Sequence, residues 1–246
     1  PNKRVGYEQQ SSTNSTNNMP NTTPVLSVEA ITASFLYSTL PKIVGRPTFT
    51  QIFAAQKLQQ VNAASIRTTN GGGAHGYLGA ILPAATYNAI APGTPWTLPV
   101  WPGPHPVIPP GPPVPTAALI RVITDEHTED IREYQQDNNV EHALKKQLIE
   151  CFDMAYLEGY KEQYVQFGNR RIGAFYVWLY QQYGQLTPQD KALNTKNFHS
   201  EWDVSTPFES YAAKVEECAE IARIGGTPFS NEQMLDNALA TMGVLW

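Results

Sequence analysis

The stretch PGTPWTLPVWPGPHPVIPPGPPVP, residues 92–115, contains eleven of the 20 prolines in this 246-residue chain. Proline fixes φ and lacks a backbone N–H, so the stretch cannot form the interior of a helix or of a central strand. It predicts a long, semi-rigid excursion of polyproline type. Trp96, Trp101 and His105 lie within it, and we expect them to be exposed on a loop that projects from an otherwise helical protein.

Helical patterns precede the proline-rich stretch. Ser27 is suited to cap a short helix that ends before Pro41, and Thr48 with Gln51 three residues later forms a capping box. The helix that this box opens carries apolar residues at helical spacing: Phe49, Ile52, Phe53, Leu58 and Val61. A glycine-rich loop and a short apolar segment over residues 82–90 then lead to the prolines.

The second half of the chain has a more regular pattern. Thr116 is suited to cap a helix, and apolar residues continue at helical spacing as far as Phe152. A further apolar helix covers residues 172–183. No segment alternates between apolar and polar residues as a half-buried strand does. We therefore predict an all-α fold of about eight helices.

Proline and capping residues predict where the last three helices begin. Thr187-Pro188 and Thr206-Pro207 each place a proline at the first helical position behind a capping threonine. Ser230 with Gln233 makes a second capping box. It opens a final helix with an apolar stripe: Met234, Leu235, Ala238, Leu239 and Met242.

The composition of the chain divides it into three parts. Residues 1–26 are almost entirely polar, so we expect a flexible arm that cannot bury enough surface to offset its ordering entropy. The polar run QQDNNVE, residues 135–141, predicts a boundary between an N-terminal helical domain, residues 27–138, and a C-terminal helical domain, residues 139–246.

Charge is also divided unevenly along the chain. Residues 1–124 contain seven Lys/Arg and two Glu, whereas residues 125–246 contain ten Lys/Arg and twenty Asp/Glu. Opposite charges on the two halves attract between neighbouring molecules, although the same division also suits two domains with different surfaces. Neither half has the strongly basic face that tight nucleic-acid binding requires.

Cysteine usage and hydropathy indicate a cytoplasmic protein. Cys151 and Cys218 fall on apolar helix faces, which predicts buried thiols in a reducing compartment rather than a disulfide. No run approaches the roughly 18 apolar residues that span a bilayer, so we expect no membrane partner.

The candidate catalytic motifs are weak. Residues 71–76, GGGAHG, match G-x-G-x-x-G, but a dinucleotide site needs a strand before the glycines and an acid about 20 residues later. The cluster Asp125–Asp130 surrounds His127, yet on a helix its acids predict a solvated face and His127 a core position. We expect a protein that is not an enzyme, without catalytic residues, cofactor or metal.

The helix predicted over residues 172–183 is apolar around much of its circumference. Val177 and Trp178 lie off its main apolar stripe, which includes Phe175. A helix of this kind is either fully buried or part of an interface. Val177, Trp178 and Phe175 are therefore the candidate assembly residues.

Several segments, in their order and spacing, resemble Gag proteins of copia-type LTR retrotransposons, particularly those of microalgal genomes. They cover residues 47–65, 71–96 and 140–160, which read PTFTQIFAAQKLQQVNAAS, GGGAHGYLGAILPAATYNAIAPGTPW and VEHALKKQLIECFDMAYLEGY. The resemblance continues through LYQQYGQLTPQD, WDVSTPFESYAAKVEECAEIA and GGTPFSNEQML, in residues 179–235.

The resemblance implies a capsid protein that assembles with itself into a shell around RNA, as a virus-like particle in the cytoplasm. Its N-terminal domain would form pentamers or hexamers and display the proline-rich loop. Its C-terminal domain would link these capsomers, with the face bearing Val177 and Trp178 as the two-fold contact. The basic tail or zinc knuckle with which many Gag proteins grip RNA has no counterpart in this sequence, so RNA binding is expected from a region outside it.

Two alternatives stay open at the level of sequence. The first is a helical adaptor that presents its polyproline loop to a partner with an aromatic groove. The second is an enzyme built around His75 and the glycine loop, which would need an ionisable partner beside that histidine. The absence of any acid from Ala30 to Thr124 argues against the second alternative.

Overall fold

Helices account for most of the residues that the computed structural model describes, which are 24–107 and 116–243. The α-helices are α1 (Val28–Ser34), α2 (Phe49–Ser65), α3 (Leu78–Ile81), α4 (Ala84–Ile90), α5 (Ala117–Cys151), α6 (Ile172–Tyr183), α7 (Pro188–Phe198), α8 (Phe208–Ile224) and α9 (Asn231–Gly243). Single 3-10 turns occur at Asn70–Gly72, Met154–Tyr156 and Glu158–Tyr160. These two ranges contain two isolated β-bridges and no strand, so the predicted helical class is confirmed for them. Most of the predicted arm and the end of the proline-rich stretch, residues 108–115, lie outside the described residues.

Helix starts follow the capping signals in most cases. Thr48 Oγ1 accepts from the backbone N–H of Gln51, while the Gln51 side chain accepts from the N–H of Thr48, as the capping box predicts. Thr187 and Asp190 form the same arrangement at the start of α7. Each such cap stabilises its helix by about 1 kcal/mol.

The start of α8 differs from its prediction. The helix begins at Phe208, and Pro207 occupies the capping position without a side-chain hydrogen bond. Thr206, the predicted cap, instead donates its hydroxyl to the carbonyl of Asp203 at 2.7 Å. The prediction was wrong here because a local turn over residues 203–206 takes the threonine side chain away from the helix.

The main hydrophobic core lies between α2, α5 and α6, with α1 and α3 packed around it. Each of the three central helices contributes fully buried side chains: Ile52 from α2, Leu144 and Leu148 from α5, and Phe175 and Leu179 from α6. Each is at 0 % exposure, and burying one such side chain stabilises the fold by about 1.5–3 kcal/mol.

A buried polar network fixes how α2, α5 and α6 are arranged. Gln59 Nε2 donates to the carbonyl of Leu144 at 2.7 Å, and Gln59 Oε1 accepts from the Tyr176 hydroxyl at 2.9 Å. Asn62 Nδ2 donates to Gln147 Oε1 at 3.0 Å. Because buried polar groups without partners are costly, this network favours one register of the three helices over others.

The predicted domain boundary falls inside a continuous helix. Residues 135–141 belong to α5, and the main core contains residues from both sides of position 138. Their polar side chains hold earlier parts of the chain: Asn139 Nδ2 donates to the carbonyl of Leu26 at 2.9 Å, and Asp137 accepts from the Tyr77 hydroxyl. The polar run is thus a hydrogen-bonding face of α5 and contains no linker.

The last three helices form a smaller cluster beside the main core. Asn194 of α7 donates to the carbonyl of Cys218 in α8 at 2.9 Å, and Phe198 stacks on Phe229 with ring centroids 3.8 Å apart. Ile221 of α8 packs with Phe49 and Phe53, which joins this cluster to α2.

Candidate self-association surface

Two polar residues of helix α9 face inward. Asn237 and Thr241 are buried, one helical turn apart. The hydroxyls of Thr241 and Tyr211 lie 2.9 Å apart, and Asn237 Nδ2 lies 3.5 Å from the Tyr211 hydroxyl. The contact between α9 and α8 is therefore made in part by hydrogen bonds between side chains, where a surface helix usually places apolar residues.

Four apolar residues of α9 are exposed to solvent. Leu235 is 60 % exposed, Leu239 is 56 % exposed, and Met234 and Ala238 are also exposed. These four residues, which we call the α9 face, recur at the spacing of one helical surface. An apolar stripe that its own protein leaves in water is typical of a surface that another molecule covers.

The sequence identified this stripe but not its direction. Periodicity shows which residues share a face of a helix, and it leaves open whether that face meets the core or the solvent. The missing signal lies in Asn237 and Thr241, the two polar residues of α9 that are buried. Their spacing of four residues was compatible with a second, inward-facing polar surface.

The candidate assembly residues on α6 differ in their positions. Phe175 is fully buried in the main core, where it packs between Tyr160 and Phe167, so its assignment to an interface was wrong. Trp178 is half-buried, with its ring centroid 4.9 Å from that of Tyr160. Val177, at 51 % exposure, is the one residue of the three that is open to a partner.

The described part of the proline-rich stretch lies against the protein. Trp96 packs edge-on against Tyr77 and Tyr87, with ring centroids 5.6 and 6.1 Å apart, so its predicted exposure was wrong. A Cβ atom on Gly79 would lie 2.4 Å from the Trp96 ring, which shows why a residue without a side chain is needed there. Core packing of this aromatic side chain overrides the tendency of a proline-rich segment to project.

The next two candidate loop residues rest on α5. Trp101 is 51 % exposed, and its ring meets Tyr134 edge-on at 5.3 Å. His105 is exposed, and its ring lies 5.2 Å from that of His127, which is buried as predicted. Residues 92–107 therefore run along the body of the protein, and Val100 and Val107 remain almost fully exposed.

The glycine loop serves packing. Helix α2 precedes it, so the strand that a dinucleotide site requires is missing from this part of the structure. The Tyr87 hydroxyl donates to the carbonyl of Gly71 at 3.1 Å, and a Cβ atom on Gly71 would lie 2.2 Å from that hydroxyl. The first glycine thus allows the loop to close over Tyr87.

Two buried charges on α5 hold the loop before α6. Glu141 accepts from the backbone N–H of Ile172, and burial raises the pKa of its carboxyl above the usual value. Lys145 donates to the carbonyls of Phe167 and Gly168, and burial lowers its pKa. Both side chains have structural partners, which accounts for their burial without a catalytic role.

Neither a metal-binding cluster nor a membrane-spanning helix occurs in the described ranges. Within residues 24–107 and 116–243, the structure places no three His, Cys, Asp or Glu side chains together as a metal site would require. None of the helices in those ranges combines the length and apolar character needed to cross a membrane.

Comparison with protein-family models, with curated proteins and with solved structures finds no match for this chain.

Proposed function

We propose that this protein is a structural, self-associating protein of the Gag capsid type, whose copies form a shell around RNA. The observation that carries the proposal is the outward direction of the α9 face. Leu235 and Leu239, one turn apart, are each more than half exposed, while polar residues occupy the inner side of the same helix. An arrangement of this kind favours association through α9.

The size of the α9 face supports a weak contact repeated many times. Helix α9 has 13 residues, which corresponds to a length of about 20 Å. One face of so short a helix buries well below the roughly 1,200 Å² of a stable two-body interface. Contacts of this strength hold a large assembly together when each copy makes several of them at once.

The sequence resemblance supplies the remaining parts of the proposal. It implies a cytoplasmic particle, built from pentamers or hexamers that two-fold contacts join. Val177 is the available residue for the two-fold contact on α6. The excess of acids in residues 125–246 opposes RNA binding by that half, so RNA would be enclosed and held by a region outside this sequence.

The experiment compares the assembly of three purified proteins by size-exclusion chromatography with light scattering and by negative-stain imaging. Leu235→Glu with Leu239→Glu places two charges on the α9 face, and Ala240→Glu places one on an exposed position of another side of the same helix. We expect large particles from the natural sequence and from Ala240→Glu, and monomers from the double variant. Natural protein that stays monomeric at low and high salt, or a double variant that assembles normally, would overturn the proposal.

The adaptor function is the second candidate. Its support is the high exposure of Val100 and Val107, at 81 % and 87 %, beside several prolines. The packing of Trp96 means that deletion of residues 92–115 would damage the core, so surface substitutions are the better test. Val100→Asp with Val107→Asp should abolish binding to a polyproline-recognising domain if the adaptor function holds, and should leave particle formation unchanged if the shell function holds.

A further inference from the structure

Residues 92–107, which we call the proline strap, lie against the protein with a repeating pattern of burial. Trp96, Pro99 and Pro102 are spaced three residues apart, and each is partly buried. Val100, which lies between them, is 81 % exposed. Three residues is the repeat of a polyproline helix, so one face of the strap rests on the protein and its other faces meet the solvent.

The side chain of Asn70 binds the backbone of the strap. Its Nδ2 donates to the carbonyl of Thr97 at 2.6 Å, and its Oδ1 accepts from the N–H of Thr97 at 3.1 Å. The Thr97 hydroxyl donates to the same oxygen at 3.0 Å. A side-chain amide has both a donor and an acceptor, so one asparagine holds both backbone groups of an extended peptide residue.

Tyrosines receive the two tryptophans of the strap. Trp96 packs edge-on against Tyr77 and Tyr87, and Trp101 meets Tyr134 edge-on at 5.3 Å. Grooves lined by aromatic side chains are a recurring way of binding proline-rich peptides. The contacts made by the strap are therefore of the kind that a peptide makes with its receptor.

The surface formed by Asn70 and these three tyrosines, which we call the tyrosine groove, has supports of its own. The Tyr77 hydroxyl donates to Asp137 of α5, and the Tyr87 hydroxyl donates to the carbonyl of Gly71. Tyr134 belongs to α5 itself. By contrast, residues 92–107 are all described and none of them is buried. The strap thus lies on a groove that contacts elsewhere in the protein hold in place.

We propose that the tyrosine groove is a binding site for proline-rich peptides, and that the strap is the separable ligand that occupies it in the folded chain. The ligand class is a proline-rich peptide with two tryptophans five residues apart, as Trp96 and Trp101 are. The inference concerns a single copy of the chain and does not depend on self-association.

Attachment to the chain favours the strap over a free peptide. A ligand tethered to its own receptor is present at an effective concentration on the order of millimolar. A free peptide of the same sequence therefore binds well only when the contacts of the strap are weakened.

Binding of a labelled peptide to full-length proteins tests the inference. The peptide has the sequence of residues 92–107, and fluorescence anisotropy follows its binding. Trp96→Ala with Trp101→Ala weakens the strap and leaves the residues of the groove unchanged. We expect this variant to bind the peptide about tenfold or more tightly than the natural protein does, because the natural strap occupies the site. Addition of Asn70→Ala removes the contacts with Thr97 and should cancel the gain.

A control peptide and a second variant accompany this measurement. A peptide in which both tryptophans are replaced by alanine should bind none of the proteins. If circular dichroism shows that the double variant is unfolded, Thr97→Ala with Trp101→Ala takes its place, because both positions are exposed. A folded variant that binds the peptide no better than the natural protein, or equally well after Asn70→Ala, would overturn the inference.

Hydrogen exchange of the natural protein measures release of the strap without any substitution. The Thr97 N–H is held by the Asn70 side chain, whereas Leu144 lies within α5 and is fully buried. A separable ligand opens while the core stays folded, so the Thr97 amide should exchange about tenfold or more faster than the Leu144 amide. Equal exchange rates would mean that the strap leaves only when the whole protein unfolds, and would contradict the inference.

Discussion

The hydroxyls of Tyr211 and Thr241 lie 2.9 Å apart between α8 and α9, and both residues are buried. This pair favours the observed direction of α9, because the contact forms only when Thr241 faces α8. In this orientation the α9 face is left exposed to solvent. The hydrogen bond inside the protein and the exposed leucines outside it are consequences of one helix orientation.

Tyr211→Phe should therefore weaken the attachment of α9. The variant leaves Thr241 Oγ1 and Asn237 Nδ2 without the Tyr211 oxygen, and the loss of such a buried hydrogen bond costs about 1 kcal/mol. Urea denaturation followed by circular dichroism measures the loss. Tyr164→Phe, at a tyrosine that is 87 % exposed, is the matched control and should leave the free energy of unfolding unchanged. Equal stability of the two variants would show that the contact does not hold α9.

The two domains predicted from the sequence should not fold as separate proteins. Fragments 27–138 and 139–246 each lack part of the main core, since Ile52 and Leu144 lie on opposite sides of the cut. We expect both fragments to have low helix content and broad, poorly dispersed NMR spectra. A fragment of residues 24–183 keeps the main core and should be folded. Cooperative unfolding of the isolated 139–246 fragment would contradict this prediction.

Neighbouring residues on α6 should respond very differently to truncation. Phe175→Ala removes a fully buried ring and should lower the free energy of unfolding by about 3–5 kcal/mol. Val177→Ala changes a half-exposed side chain and should alter it by less than about 0.5 kcal/mol. Chemical denaturation of the two variants measures the contrast. A similar loss for both would mean that Val177 is also part of the core.

Local signals allowed the sequence to predict much of the fold. Capping residues such as Thr48 and Thr187 act on neighbours three residues away, so their effect is visible in a short stretch of sequence. The boundary predicted at residue 138 lies inside α5, and here the relevant signals are not local. The Asn139 side chain binds the backbone of Leu26, 113 residues earlier in the chain. No local sequence pattern reveals so distant a partner.

The candidate site shows the same limit. The α9 stripe was visible in the sequence, but its direction depends on Tyr211, which belongs to another helix. The exposure of Trp96 was mispredicted because its packing depends on Gly79 and Tyr77, which precede the prolines. Long-range packing decides such positions, and spacing along the chain does not encode it.

The buried carboxyl of Asp137 should make stability depend on pH in a definite direction. Burial raises the pKa of Asp137 above its ordinary value of 3.8, and the hydrogen bond from Tyr77 offsets only part of this effect. The folded protein therefore binds the Asp137 proton more tightly than the unfolded chain does. The resulting stabilisation is fully present below the unfolded pKa and is lost as the pH rises through the folded pKa.

Asp137→Asn removes this titration and keeps a side-chain oxygen that accepts from the Tyr77 hydroxyl. The free energy of unfolding of the variant, relative to that of the natural protein, should rise as the pH increases from below 3.8 through the range in which Asp137 ionises. Urea denaturation of both proteins at a series of pH values measures this difference, and other titrating groups cancel in it. A difference that falls with pH would mean that the Tyr77 hydrogen bond outweighs the effect of burial, and that Asp137 is stabilised as an anion.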